Sequence, residues 1–269
     1  MTGAAVKRGV VYCALKIPEY LEAAVISAFA LRQLEPELPI VLLTDFAGVE
    51  GLGLERFNIT VKRIVLPEVW RLPDAMESRL VKTSLPELVE FDETLYLDAD
   101  VLPIQPLQPI WEFLQRGVIS LAIDVNKTLA QCDHVGTEEK AYTLQRCPAD
   151  SVQFNSGVML WRRCPEVLGL FETWKEEWIR FQRQDQLALL RAIQATAIKL
   201  VELPEVYNFP AYRVTPDVIE RNEVRLLHCL KGFVRIGRFR AIAQRLMPTS
   251  TALALEVLKQ KRSFWDKIS

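Results

Sequence analysis

Asp98 and Asp100 stand one residue apart in "ETLYLDADVLPI", where an apolar run that reads as a buried strand comes to its end. Residues two apart on a strand face the same way, so the two carboxylates would project together if the strand persists through Ala99. Held close, they repel unless a proton or a cation neutralises them. A divalent cation with oxygen ligands is the natural counter-charge, and such an ion can bridge to phosphates. Taken alone, this spacing more often marks two exposed loop acids. A phosphatase-type pair fits poorly, because that pattern follows a first strand, whereas this one lies near residue 100 and runs into "VLPI".

Histidine is scarce: the chain has 2, His134 and His228. His228 lies in "RLLHCLKG", emerging from a predicted late strand, where an isolated imidazole is usually a core or surface residue. Joined to two carboxylates, it would make a cation site more accommodating to manganese than the all-oxygen sites that suit magnesium.

The elements that must position these residues alternate. Strands are expected at Arg8–Leu15, Leu38–Asp45, Asn58–Pro67, the run ending at Asp98, Gly117–Asp124, Val152–Arg162 (broken near Gly157), Ala197–Pro204 and Glu223–Leu230. Helices are expected at Pro18–Leu34, at Glu77–Phe91 with Pro86 interrupting it, at Cys164–Arg180, at Arg183–Gln194, and beyond Arg238 with a break at Pro248. The polar stretch 125–150 reads as a loop or short helix over a site. This alternation predicts an α/β fold with a mainly parallel sheet, in which ligands gather where strands end. Asp45, Asp98 and Asp124 would share one such edge. We expect a single domain over 1–237, with 238–269 as a basic, amphipathic helical extension.

Of the 269 residues, 50% are hydrophobic and 25% charged, the balance of a folded globular protein. The net charge of −1 gives no reason to expect nucleic acid as a partner. The charge is uneven, however: from Arg221 onward basic residues dominate, and the first 220 residues are acidic. Leu253, Val257, Phe264, Trp265 and Ile268 share a helix side near these cations. That side either packs on the domain or attaches peripherally to an anionic membrane carrying a lipid-linked acceptor. No signal peptide and no membrane span is expected. The 5 cysteines lack close pairing, which suits reduced thiols in a cytoplasm and speaks against a zinc site.

Several segments acquire meaning together. "VVYCAL…EYLEAAVISAFALR", "SRLVKTSL", "LYLDADV", "FNSGVMLW", "DQLALL", "LPEVYNF" and "LLHCLKG" follow in an order that resembles the glycogenin-like glycosyltransferases of family 8, which include bacterial lipopolysaccharide-type enzymes and have the GT-A fold. The resemblance covers roughly residues 9–235. It implies a Mn2+ (or Mg2+) ion held by Asp98, Asp100 and His228. It also implies nucleotide contacts from Ala14, Leu15 and Tyr20, with Tyr20 stacked on the base, and from the Asp98-Ala99-Asp100 segment. Lys82 and Lys231 would lie near the phosphates. Asp124, Asn155, Ser156, Asp185 and Gln186 would surround the donor sugar, with Asp185 and Gln186 as the catalytic residues.

The implied reaction moves a sugar from a nucleotide-diphosphate donor, best taken as a UDP-sugar, to a carbohydrate, glycolipid or protein acceptor with retention of configuration. Self-association is a further partner expectation. Two departures from the family pattern matter. The loop after His228 reads "CLKGFVRIG", which leaves open whether Lys231 or Arg235 reaches the pyrophosphate. "KIPEY" also replaces the Thr/Asn-rich turn before the base-stacking tyrosine. A sugar nucleotidyltransferase would show a Gly-rich basic loop after the first strand, and "CALKIPEYLEA" has no glycine. A non-catalytic binding protein of the same fold would be marked by loss of a metal-site residue, and all three are present.

Overall fold

Alternate residues of β1 (Arg8–Ala14) bury on opposite faces of a sheet: Val10, Tyr12 and Ala14 on one, Val11 and Cys13 on the other. A strand covered on both sides needs apolar residues at every position, which explains the unbroken run "GVVYCA". The computed structural model describes residues 5–66, 74–221 and 224–260. β1 pairs in parallel with β2 (Ile40–Thr44) and β4 (Glu93–Asp98), and β2 in parallel with β3 (Ile59–Arg63). β7 (Val152–Arg162) runs antiparallel to both β4 and β6 (Ile119–Thr128), and β8 (Leu200–Leu203) lies parallel to β6. The order in this 7-stranded sheet is β3-β2-β1-β4-β7-β6-β8, so β7 alone is reversed.

One face of the sheet is covered by α1 (Pro18–Leu34), α8 (Arg238–Leu246) and α9 (Pro248–Lys259). The other carries α2 (Asp74–Lys82), α3 (Leu85–Leu88), α5 (Pro165–Ile179) and α6 (Gln186–Thr196). A second, 3-stranded sheet has the order β5-β10-β9, formed by β5 (Val101–Pro103), β9 (Phe209–Pro210) and β10 (Leu226–His228). α4 (Thr137–Leu144) and α7 (Pro216–Glu220) are short and peripheral.

The mainly parallel α/β frame is as expected, with specific corrections. The helix expected over Glu77–Phe91 stops at Lys82 and restarts at Leu85, because Pro86 fits only the first turn of a new helix. The strand over Val152–Arg162 is unbroken. Its irregularity lies in the pairing: Leu121 faces Met159 but Ala122 faces Asn155, so Ser156–Val158 bulge away from β6 while Val158 keeps its partner Leu97 on β4. β6 runs on past Asp124 to Thr128, and a 3-10 turn at Leu129–Gln131 and α4 follow. The helix expected at Arg183 begins at Gln186. The strand carrying His228 belongs to the small sheet.

Of the apolar side expected in the tail, Val257 is buried and Leu253 is exposed; Ala254 and Leu258, outside that expected set, are buried with Val257 on α9, which packs on α1. Phe264, Trp265 and Ile268 lie outside the described residues. Among the described residues, no helix is long and apolar enough to cross a membrane. All five cysteines are free thiols.

Candidate functional site

β4 ends at Asp98, and Ala99 and Asp100 form a turn before the chain resumes as β5. The alternation expected to align the two acids therefore stops at the first of them. The small sheet does the work instead. β10 pairs antiparallel with β5, setting His228 opposite Val101, and the Cys229 N–H donates to the Asp100 carbonyl at 2.8 Å. One ligand atom from each of Asp98, Asp100 and His228 then lies within 4.8 Å of the others.

The imidazole is tightly aimed. His228 is buried, with Nδ1 2.7 Å from Asn208 Oδ1 and Nε2 3.3 Å from Asp100 Oδ1. An amide oxygen can only accept, so Nδ1 carries a proton and Nε2 is the nitrogen turned toward the carboxylates, able to donate to Asp100 when protonated or to offer its lone pair to a cation that takes that proton's place. Burial opposes protonation of this ring, but the Asp100 carboxylate outweighs it and raises the pKa above the ordinary histidine value. The two carboxylates thus favour a positive charge at this point. Gly157 makes the approach feasible: a Cβ there would stand 2.4 Å from His228 Cε1 and 3.0 Å from Asp98 Oδ2. Two carboxylates and an oriented imidazole fit a divalent cation of borderline softness.

Lys82, at the last turn of α2, lies behind Asp98. Its Nζ is 2.7 Å from Asp98 Oδ1, 3.3 Å from Ser156 Oγ and 3.5 Å from Asp185 Oδ2. Burial would lower this ammonium's pKa; Asp98 and then Asp185 raise it above the ordinary lysine value. Tyr96, two residues before Asp98 on the same strand face, donates its hydroxyl to Asp98 Oδ1 at 2.7 Å.

Asp185 is the N-cap residue of α6, yet its side chain makes no capping bond. The carboxylate instead accepts from Ser156 Oγ at 2.7 Å and lies 3.9 Å from Arg79 Nε. Burial pushes its pKa up, but Lys82, Arg79 and the Ser156 hydroxyl together hold it below the ordinary carboxylate range. Tryptophans of α5 fix the backbone here: Trp174 Nε1 donates to the Asp185 carbonyl at 3.0 Å and Trp178 Nε1 to the Arg183 carbonyl at 2.9 Å. Gln186 is buried beside it, with Nε2 unpartnered among the described residues.

A cleft opens beside this cluster. Among the expected nucleotide contacts, Ala14, Leu15, Tyr20 and Lys82 line it together with Asp98, Ala99 and Asp100. Arg79 and Arg235 line it too. Lys231 sits elsewhere, its Nζ 3.9 Å from the centre of the Tyr212 ring. Asp124 and Asn155 form a pair further along the rim, with Asn155 Nδ2 donating to Asp124 Oδ2 at 2.8 Å and the Asn126 N–H to Oδ1 at 2.8 Å. Ser156, Asp185 and Lys82 link that side to Asp98.

Sequence reasoning did not single out Asn208 or Arg79. Asn208 lies within "LPEVYNF", but nothing in a lone loop amide reveals an imidazole partner. Arg79 precedes Lys82 by three residues on α2, and that helical spacing could have placed both on one face.

No protein-family model and no curated protein sequence matches the chain. Solved structures do match in fold. The galactosyltransferase LgtC, solved with donor and acceptor sugar analogues, superposes with a TM-score of 0.56 at 17% identity, covering 88% of this chain and 96% of that one. Mouse xyloside xylosyltransferase 1 gives 0.55 at 14% identity, covering 84% and 98%. The bifunctional glycosyltransferase WbbM gives 0.61 at 13% identity over 96% of this chain, which spans 52% of that protein. The chain has the GT-A glycosyltransferase fold.

Proposed function

We propose that the protein is a metal-dependent, retaining glycosyltransferase that moves a sugar from a nucleotide-diphosphate donor, a UDP-sugar, to a carbohydrate, glycolipid or protein acceptor. The observation that carries this reading is the convergence of Asp98, Asp100 and His228 at a cleft that is also lined by Lys82 and Arg235. The fold it shares with solved glycosyltransferases supports the same assignment.

Asp98, Asp100 and His228 would hold Mn2+ or Mg2+, which when bound supplies Lewis-acid neutralisation of charge on the donor diphosphate. In the reaction the bond between the anomeric carbon and the diphosphate oxygen breaks, and its electron pair leaves with the nucleoside diphosphate. The acceptor hydroxyl oxygen bonds to the anomeric carbon on the same face and gives its proton to the departing phosphate oxygen. Lys82 and Arg235 meet the growing negative charge on the leaving group, where fixed cations in a partly dry cleft act most strongly. Asp185, ionised and linked to the cation ligand Asp98 by two successive ion pairs through Lys82, would face the sugar as stabiliser or nucleophile. Asp124, Asn155, Ser156 and Gln186 hold the sugar hydroxyls, and the unpartnered Gln186 amide is suited to such a contact.

Calorimetric titration of UDP into metal-free protein, with and without Mn2+, tests the reading, repeated on Asp100→Asn. Mn2+-dependent binding that collapses in the variant supports it. Absence of binding for UDP, GDP, CDP and ADP under both conditions would sink it.

A further inference from the structure

We propose that Lys16 is a positioning residue for the nucleobase end of the cleft, locking a strained turn that presents Leu15 and Ile17 to the ligand. This inference rests on the nucleotide reading above.

Lys16 joins β1 to α1 with a φ of 63°, and the Ile17 N–H donates to the Leu15 carbonyl at 2.7 Å. Three residues closed by such a bond, with a positive central φ, make the rare and strained form of γ-turn. Glycine adopts that backbone freely, and a residue with a Cβ does so at a cost. A lysine occupies it here because its surroundings hold it. Asp45, immediately after β2, spends both carboxylate oxygens on this one residue: Oδ1 accepts the Lys16 N–H at 3.0 Å and Oδ2 pairs with Nζ at 3.2 Å. Glu77, buried on α2, pairs with the same Nζ at 3.1 Å. Burial lowers the ammonium's proton affinity, and Glu77 and Asp45 together more than restore it.

Three elements are thereby tied at one point: the β1–α1 turn, the end of β2, and α2. Their neighbouring residues face the cleft. Leu15 and Ile17 flank Lys16, Ser78 follows Glu77, and all three line the cavity. The Lys16 side chain turns to the two acids, so its influence passes through the backbone it fixes. This part of the wall is apolar, whereas the Asp98–Asp100 end suits a cation and phosphates. A nucleoside diphosphate seated with its phosphates at the acidic end lays its flat base along Leu15, Ile17 and Tyr20.

The backbone role separates two substitutions. Lys16→Gly supplies a residue that accepts positive φ and removes the ion pairs; Lys16→Ala keeps the strain and removes the same ion pairs, leaving only the backbone N–H bond to Asp45. UDP and inorganic pyrophosphate are titrated separately, with Mn2+, into wild type, Lys16→Ala, Lys16→Gly and Asp45→Ala, alongside thermal unfolding of each. Lys16→Ala and Asp45→Ala are expected to weaken UDP binding about tenfold, with Lys16→Gly within about threefold of wild type. Pyrophosphate, which lacks the base, should bind all four alike. Equal losses in Lys16→Gly and Lys16→Ala would overturn the proposal by making the ammonium itself the contact, as would parallel losses of pyrophosphate or unchanged UDP binding throughout. Should Asp45→Ala fail to fold, Asp45→Asn, which keeps an acceptor for the Lys16 N–H, replaces it, with a smaller UDP loss expected and no loss counting against. Wild type that binds no nucleoside diphosphate would bring down the nucleotide reading and this inference together; binding by wild type with indifferent variants would bring down this inference alone.

Discussion

His228 Nδ1 and Asn208 Oδ1 stand 2.7 Å apart, both buried, and this contact decides which nitrogen of the ring faces Asp98 and Asp100. β9 and β10 run parallel with His228 opposite Pro210, and Asn208, two residues before that partner, reaches the ring diagonally from the start of β9. The ring's aim is therefore built into the small sheet.

Replacing Asn208 by alanine frees the ring to rotate and to exchange tautomers. Mn2+ affinity should fall by about 10- to 100-fold, the usual effect of removing a hydrogen-bond partner from a metal-binding histidine. Asn208→Asp, which retains an acceptor, should recover most of it. Titration of Mn2+ followed by electron paramagnetic resonance checks both; equal affinity in wild type and Asn208→Ala would remove Asn208 from the site.

Asp185→Asn should lower kcat by about 10²-fold or more with a smaller effect on donor KM, if the carboxylate acts mainly as charge develops. Stability offers a second readout. Because the folded-state pKa of Asp185 is depressed, its ionised form contributes stability that is fully present above the unfolded carboxyl value of about 3.9 and is lost as pH falls through the lower folded value. Urea unfolding of wild type and variant should therefore differ by a constant amount at neutral pH and converge only in strong acid. A gap that widens on acidification would contradict the assignment.

The loop after β10 offers two cations, and their positions divide the roles. Arg235 lines the cleft, whereas Lys231 stacks on Tyr212. Arg235→Ala is expected to weaken UDP binding by about tenfold or more, the scale of a lost charge-assisted hydrogen bond, and Lys231→Ala by about threefold at most. Calorimetry on the two variants decides; the reverse ranking would return Lys231 to the phosphates.

Away from the site, Arg191 is buried between Glu139 and Glu177, with Nη1 3.2 Å from Glu139 Oε1 and Nε 2.7 Å from Glu177 Oε2. These two ion pairs fasten α4 and α5 to α6. Arg191→Ala leaves a buried carboxylate unpaired and should cost about 3–5 kcal/mol, measured by urea denaturation. Donor hydrolysis below the new transition should match wild type.

The cluster of Asp98, Asp100 and His228 was more legible than its support. Asp98, Asp100 and His228 advertise themselves by residue type and order, and the long strands by unbroken apolar runs such as Val10–Ala14. What escaped was short or pairwise. β5 spans Val101–Pro103 and β9 only Phe209–Pro210, too few residues for any periodicity to register. Without them, His228 could be placed only on a late strand, and Asn208 had no reason to stand out. The expected break at Gly157 was a real irregularity assigned to the wrong partner: the backbone continues and the register with β6 slips. Lys16 gave no sign, because a positive φ on a lysine is imposed by Asp45 and Glu77 from distant parts of the chain.

The reversed direction of β7 has a consequence for how such a protein can change. β6 arrives at the sheet edge where β4 ends in Asp98, and β7 departs from that same edge, so the whole connection from Leu129 to Ser151 is an excursion that begins and ends there. Every parallel crossover must instead return to the far side of the sheet before the next strand can start. Lengthening or rewriting this one excursion leaves the strand order and the register of β4 intact. Such a revision would leave the cluster of Asp98, Asp100 and His228 where it is.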